Sequence, residues 1–130
     1  MSNSSLPLDG QTAIVTGSSR NVGRAIAMGL AADGASVVVN ARDDDDGATA
    51  VVAEIVAAGG KAIKHMADVT DEAAVDSMAK AAVDAFGGIH ILVNNAAIRR
   101  QQDIETMSLA EWRAVTAVIL DAAFLTARAS

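Results

Sequence analysis

Short runs rich in Val and Ile alternate along the chain with longer stretches in which apolar residues recur at helical spacing. This alternation is typical of βαβ units around a parallel sheet. The near-continuous apolar content of the runs predicts strands that are covered on both faces. The predicted strands are Thr12–Thr16, Ser36–Asn40, Ala62–Ala67 and Ile89–Asn94.

Amphipathic helices are predicted between the strands, because apolar residues fall on one face of each stretch. These faces consist of Val22, Ile26, Gly29 and Leu30, of Ala48, Val51, Val52, Ile55 and Val56, and of Val75, Met78, Ala82 and Phe86. Side chains that cap helix starts and glycines that end helices agree with this assignment. The predicted caps are Asp43, Thr70 and Ser108 with Glu111, and the predicted ends are Gly34, Gly59-Gly60 and Gly87-Gly88.

The last predicted helix, from about Leu109 onward, is apolar on two sides. One stripe consists of Leu109, Trp112, Val115 and Ile119, and the other of Val118, Ala122 and Leu125. A helix of this kind is covered on two sides. One side is expected to meet the sheet, and the other to meet either a partner chain or the rest of a larger domain. No glycine or proline closes the helix before Ser130, so the domain is expected to be incomplete at its C-terminus.

The segment Thr16-Gly17-Ser18-Ser19-Arg20-Asn21-Val22-Gly23 joins the first strand directly to the first helix. A strand, a glycine turn and a helix start in this order favour a site for a pyrophosphate, because unpaired N–H groups and the helix dipole face the anion. A P-loop is excluded, since Arg24-Ala25 follows the last glycine where Lys and Ser or Thr are needed. A glycine turn without a ligand is the alternative.

Composition narrows the classes of function. The net charge of −6 argues against a nucleic-acid partner, and the absence of cysteine excludes disulfides and Cys-based zinc sites. We interpret His65 and His90 as strand residues and predict no metal site. Met1–Ser5 has no signal-peptide pattern, and the apolar runs are too short to cross a bilayer. A cytoplasmic protein without membrane contact is expected.

Four motifs in order carry a resemblance to a known family. They are Thr16-Gly17-x-x-x-Asn21-x-Gly23, the pair Asp68-Val69, the stretch Asn94-Asn95-Ala96-Ala97, and Trp112. Over residues 6–130 the chain resembles the N-terminal half of a short-chain dehydrogenase/reductase, similar to 3-oxoacyl-carrier-protein reductases. The resemblance implies an α/β fold, a Rossmann-type doubly wound parallel sheet of order 3-2-1-4. The sheet would be truncated after about four strands and the fourth helix, in a single dinucleotide-binding domain over residues 1–130.

The resemblance also implies which residues bind a nicotinamide dinucleotide. Asp68 and Val69 would contact the adenine ring, although Asp68 as a residue that only leads into a helix is the alternative. Asn21 stands where the family usually has glycine, and asparagine tolerates left-handed backbone angles. The cofactor-binding residues expected are Gly17, Ser19, Arg20, Asn21, Val22, Gly23, Asn40, Arg42, Asp68, Val69, Asn95, Ala96 and Ala97.

The charges near the second strand predict a preference for NADP(H), with NAD(H) as the alternative cofactor. An acid at the end of this strand disfavours a 2′-phosphate, and here the position holds Ala41. Arg42 and Arg20 stand where NADP-preferring relatives bind the phosphate. One charge-assisted hydrogen bond is worth roughly 1.5–3 kcal/mol, which gives at least about a tenfold preference. Arg42 as a solvated charge is the alternative, and the acidic run Asp43–Asp46 would weaken a phosphate site unless it caps a helix.

Family chemistry uses a serine, a Tyr-x-x-x-Lys pair and usually an asparagine, and this sequence contains no tyrosine. Ile119 stands where the asparagine is expected, so no catalytic residue is assigned. The chain is expected to be the cofactor-binding half of an NADP(H)-dependent oxidoreductase acting on an alcohol, ketone or 3-oxoacyl substrate. By itself it is expected to be inactive. The alternative is a non-catalytic dinucleotide-binding or interaction module.

Two further expectations concern partners. An unpaired edge on the fourth strand would invite association, so either a homo-oligomer or poor stability of the chain alone is expected. Arg99 and Arg100 follow the fourth strand, where they would either meet an acidic substrate or remain solvated.

Overall fold

A computed structural model describes residues 6–97 and 103–130, which form a parallel sheet with helices on both faces. The strand order is β3-β2-β1-β4, so the predicted doubly wound sheet of order 3-2-1-4 is confirmed. Arg99 and Arg100 lie outside the described residues. The strands are β1 (Thr12–Val15), β2 (Ser36–Ala41), β3 (Lys61–Met66) and β4 (Ile91–Val93).

The helices follow the strands in alternation up to β4. None within the two described ranges is long and apolar enough to cross a membrane. They are α1 (Asn21–Ala32), α2 (Asp45–Ala57), α3 (Glu72–Phe86), α4 (Leu109–Thr116) and α5 (Ala122–Ala129), with a π-helical turn over Ala117–Asp121 between the last two.

The sheet separates two apolar layers. Successive strand residues point to opposite faces, so Ala13 and Val15 pack with α1 and α2 while Ile14 packs with α3 and α5. Small side chains such as Ala27 and Ala48 are fully buried where the helices meet the sheet. Close approach of the helices therefore fills the space that large aromatic side chains, of which this sequence has only three, would otherwise occupy.

The outer strands differ from the prediction. β1 and β2 are buried along nearly their whole length, as expected, but β3 and β4 are only partly buried. The expectation of full coverage is wrong for β3 and β4 because they form the two edges of the described sheet, and Lys61 and Lys64 of β3 face solvent. β4 is shorter than predicted, and His90 precedes it rather than lying within it. His90 still pairs with β1, since its Nδ1 accepts from the Thr12 N–H at 2.9 Å.

The helix caps confirm part of the prediction and correct two residues. Ser108 and Glu111 form the predicted capping box. The cap of α2 is Asp44, not Asp43, because its side chain accepts from the Gly47 N–H. The cap of α3 is Asp71, not Thr70, whose hydroxyl bonds to Asp68 instead. The predicted glycine ends have left-handed backbones, at Gly34 (φ 104°), Gly59 (φ 91°) and Gly87 (φ 88°).

The last helix is interrupted by the π-helical turn, which the sequence pattern did not predict. Beyond it, Ala122 and Leu125 pack with α3 in the apolar layer that contains Ile14, as expected for a stripe that faces the sheet. The other side remains largely uncovered within the described residues. Its exposed apolar side chains are Leu109, Trp112, Ile119, Leu120 and Phe124.

The turn from β1 into α1 depends on close backbone contacts. Asn21 has a φ of 55°, so the residue in place of the family's glycine does adopt the left-handed conformation. A Cβ built on Gly23 would overlap the carbonyl oxygen of Gly17 and lie 2.5 Å from Asn95 Nδ2. Gly23 is therefore required by the packing of the loop itself.

Replacing Gly23 by Ala is expected to destabilise the fold by roughly 1–3 kcal/mol, because backbone must move to admit the methyl group. Gly29 lies in the same helix, and a Cβ there meets no atom within 4 Å. Gly29→Ala is the matched control and is expected to stabilise by up to about 1 kcal/mol. Urea unfolding followed by circular dichroism measures both. Similar changes in the two variants would contradict the proposed role of Gly23.

Candidate functional site

A cleft of about 970 Å³ opens at the carboxyl edge of the sheet, where the loops after the strands converge. The expected cofactor-binding residues all line it. They are Gly17, Ser19, Arg20, Asn21, Val22, Gly23, Asn40, Arg42, Asp68, Val69, Asn95, Ala96 and Ala97. Ligands of open α/β sheets bind at this edge. Residues at the ends of all four strands, far apart in sequence, therefore form one candidate site.

The amino end of α1 faces this cleft without a capping side chain. Its N-cap residue, Arg20, has an extended backbone and makes no side-chain cap bond, and the first turn contains no acid. By contrast, carboxylates of Asp44 and Asp71 cap α2 and α3, and Ser108 caps α4. The first-turn N–H groups of α1 can therefore receive an anion in the cleft.

Asn40, at the end of β2, holds the glycine loop in place. Its Oδ1 accepts from the Gly17 N–H at 3.1 Å, and its Nδ2 donates to the carbonyls of His65 and Ala67. Its backbone exchanges hydrogen bonds with Ser18, whose hydroxyl also donates to Val15 O. Asn40 is only 1% exposed, so its amide serves the three strand ends more than the open cleft.

A second buried network joins the glycine loop to the segment after β4. The hydroxyl of Thr16 accepts from the N–H groups of Asn95 and Ala96 at 2.9 and 3.0 Å. The Asn95 side chain then donates to Gly17 O at 3.0 Å. Thr16 and Ser18 were not among the predicted site residues, yet they fix the positions of those that were.

Two arginines, Arg20 and Arg42, line the cleft. Arg20 forms no ion pair within residues 6–97 and 103–130, whereas Arg42 Nε lies 3.7 Å from Oδ2 of Asp43 and equally far from Oδ2 of Asp68. The Arg42 side chain is 61% exposed. Ala41, which directly precedes Arg42, is buried. It offers no carboxylate at the position where NAD-binding folds carry one.

Asp68 is kept ionised by its neighbours. Its Oδ1 accepts from the hydroxyl of Thr70 at 2.6 Å and from the Thr70 N–H at 2.9 Å. These two bonds lower the pKa of the Asp68 carboxyl, and the Arg42 charge lowers it further against the opposing effect of burial. Asp68 therefore shapes the approach to α3 and also presents a charged Oδ2 to the cleft.

Other candidate positions make no reactive cluster. Ile119 lies in the π-helical turn and is half-exposed, while its neighbour Val118 lines the cleft. Asn94 accepts from the buried Thr126 hydroxyl at 2.7 Å, which ties β4 to α5. Among the described residues no group of acids and histidines has a geometry that could hold a metal ion.

Five lining residues were missed by the sequence analysis: Ala41, Asp43, Asp44, Ala67 and Val118. The first four lie within two residues of predicted ones, so proximity in sequence was an available signal. Val118 comes from a helix distant in sequence, and an apolar side chain there has no distinguishing pattern.

Comparison with known proteins identifies a family that this chain resembles in sequence. The family model for short chain dehydrogenase matches residues 11–130. A 3-oxoacyl-[acyl-carrier-protein] reductase of Synechocystis sp. is 45% identical over 122 residues, which cover 94% of this chain and 49% of that protein.

Solved structures of similar proteins have the same fold as this chain. A dehydrogenase/reductase from Sinorhizobium meliloti superposes with a TM-score of 0.92 at 41% identity, covering 96% of this chain and 50% of that one. A short chain dehydrogenase from Burkholderia cenocepacia in complex with NADP gives a TM-score of 0.89 at 42% identity, covering 94% and 50%. The chain spans about half the length of these relatives, and it belongs to the short-chain dehydrogenase family.

Proposed function

We propose that the chain is the cofactor-binding half of an NADP(H)-dependent oxidoreductase that transfers hydride between the cofactor and an alcohol, a ketone or a 3-oxoacyl group. The observation that carries this proposal is a single cleft with two distinct charge features. An uncapped helix start lies beside the glycine loop, and Arg20 and Arg42 line the same cleft near the end of β2.

The residues present fit a dinucleotide. The N–H groups at the start of α1 and the glycine loop would bind the pyrophosphate, and no side chain of Gly17 or Gly23 intervenes. Asp68 and Val69 would border the adenine, with Asp68 accepting from its amino group through Oδ2. Asn95, Ala96 and Ala97 would pass behind the ribose.

Three features support NADP(H) over NAD(H). The end of β2 has no carboxylate at Ala41 to bind the ribose hydroxyls, and two arginines line the cleft close by. Each guanidinium can donate charge-assisted hydrogen bonds to a phosphate. The Burkholderia cenocepacia relative, similar to this chain over 94% of its length, was solved in complex with NADP.

A bound nicotinamide dinucleotide supplies the hydride chemistry, and the residues of this chain bind and orient it. Proton transfer to the substrate oxygen needs a group with a suitable pKa. The sequence contains no tyrosine for this task, and the side chain of Ile119 has no polar atom with which to hold a water molecule. We therefore propose that catalysis requires residues that this chain does not contain.

Removing either arginine is expected to weaken NADPH binding selectively. Arg20→Ala and Arg42→Ala should each raise the Kd for NADPH by about tenfold, the value of one charge-assisted hydrogen bond to phosphate. The Kd for NADH should change by less than about twofold, because NADH has no 2′-phosphate. Fluorescence titration of the reduced nicotinamide measures both constants.

Arg113 provides the matched control, since it is an exposed arginine of α4 that does not line the cleft. Arg113→Ala should leave both dissociation constants unchanged. Wild-type protein that binds NADH as tightly as NADPH would contradict the proposed preference, and protein that binds neither would contradict the proposed function.

The pure chain of 130 residues is expected to show no turnover, for the chemical reason given above. The measurement is the absorbance of NADPH incubated with the chain and either a simple ketone or a 3-oxoacyl thioester. Binding of NADPH in the same preparation is the control that the cleft is intact. Consumption of NADPH with formation of the corresponding alcohol would overturn this expectation.

A further inference from the structure

The four consecutive aspartates Asp43–Asp46 follow directly after Arg42, and the structure gives them different partners. Asp44 caps α2 by accepting from the Gly47 N–H at 3.0 Å. Asp45 binds Lys64 of β3, with 2.5 Å between Oδ1 and Nζ. Asp46 lies in the first turn of α2, where a negative charge is favourable, and it does not line the cleft.

Asp43 is the member of this run that lies outside α2 and whose side chain does not cap it. It precedes the cap residue, its side chain is 88% exposed, and its Oδ2 lies 3.7 Å from Arg42 Nε. It also lines the cleft. Arg42, the arginine expected to bind phosphate, is therefore followed by an acid whose side chain does not stabilise α2.

Arg42 is shared between two carboxylates. Asp68 Oδ2 lies at the same 3.7 Å from Nε as Asp43 Oδ2 does. Asp68 is anchored, because Thr70 binds its other oxygen through both the hydroxyl and the N–H. Asp43 has no such anchor in the described residues. A phosphate that binds Arg42 must compete with both acids, and Asp43 is the one whose loss costs the fold least.

We propose that Asp43 is a specificity-determining residue that opposes binding of a 2′-phosphate, by pairing with Arg42 and by placing a carboxylate beside the phosphate. This inference rests on the proposed function, since it concerns the same cleft and cofactor. The preference for NADP(H) then reflects a balance in which Arg20 and Arg42 favour the phosphate and Asp43 opposes it.

The test is the pair of dissociation constants for NADPH and NADH in wild type, Asp43→Asn and Asp46→Asn. Asp43→Asn should lower the Kd for NADPH by about two- to fivefold, the range for an exposed ion pair, and leave that for NADH unchanged. Asp46→Asn removes the same charge from the same run without a contact to Arg42, and it should change neither constant. Thermal unfolding of each variant checks that the fold is retained.

A second readout needs no cofactor. In wild type, NMR titration of the side-chain carboxyl carbon gives the pKa of Asp68. Arg42→Gln should raise this pKa, because it removes one of the charges that lower it, whereas Arg113→Gln should not. An unchanged pKa in Arg42→Gln would show that the pair between Arg42 and Asp68 does not form in solution, and it would overturn the premise that Arg42 is shared between two carboxylates.

The binding outcomes separate the inference from the proposed function. Tight NADPH binding by wild type with no gain in Asp43→Asn overturns the inference and leaves the proposed function standing. Equal gains in Asp43→Asn and Asp46→Asn overturn it as well, because the effect would then belong to the whole acidic run. Equal gains for NADPH and NADH also overturn it, and loss of all dinucleotide binding by wild type overturns both.

Discussion

The buried amide of Asn40 is the interaction on which the candidate site depends. It accepts from the N–H of Gly17 and donates to two carbonyls of β3 and its following loop, so it joins the ends of three strands. A buried polar group without its partners costs about 1–3 kcal/mol, and here several backbone groups would lose partners together. These bonds therefore fix the position of the glycine loop relative to Asp68, which follows β3. Without that constraint the two ends of the cleft would have no defined separation.

The second constraint is close backbone approach. The loop can sit against β4 because Gly23 leaves room for Gly17 O and for the Asn95 amide, and because Thr16 bonds two N–H groups after β4. These contacts, with the bonds of Asn40 to Gly17 and Ser18, pair polar groups of Thr16, Gly17 and Ser18 internally. The N–H groups at the start of α1 are the exception, since α1 lacks the side-chain cap that α2, α3 and α4 have. The part of the loop without internal partners is the part that faces the cleft.

The sequence predicted the sheet well because parallel strands in a two-layered core leave a strong signal of continuous Val and Ile. It also predicted the lining of the cleft, since the loops after β1, β2, β3 and β4 carry recognisable motifs. It failed where neighbouring residues are chemically equivalent. Four consecutive aspartates offer several caps, and only the geometry shows that Asp44 reaches Gly47. The π-helical turn was not predicted, because Ala117–Asp121 contains no glycine or proline to mark it. The partial exposure of β3 was not predicted, because its position at the edge depends on how the whole sheet is ordered and not on the residues of the strand.

Charge at two distances acts on the cleft in different ways. The chain carries a net charge of −6, so its long-range field opposes every dinucleotide, and it opposes one with an extra phosphate more strongly. Salt screens this field beyond about 8 Å at physiological ionic strength. What remains is the local arrangement, in which Arg42 lies 3.7 Å from a carboxylate on each of two sides. Cofactor discrimination is a difference between two affinities, and a term common to both cofactors cancels from it. In the proposed binding mode, the few charges near the 2′ position would therefore decide between the two cofactors, although acidic residues dominate the molecule as a whole.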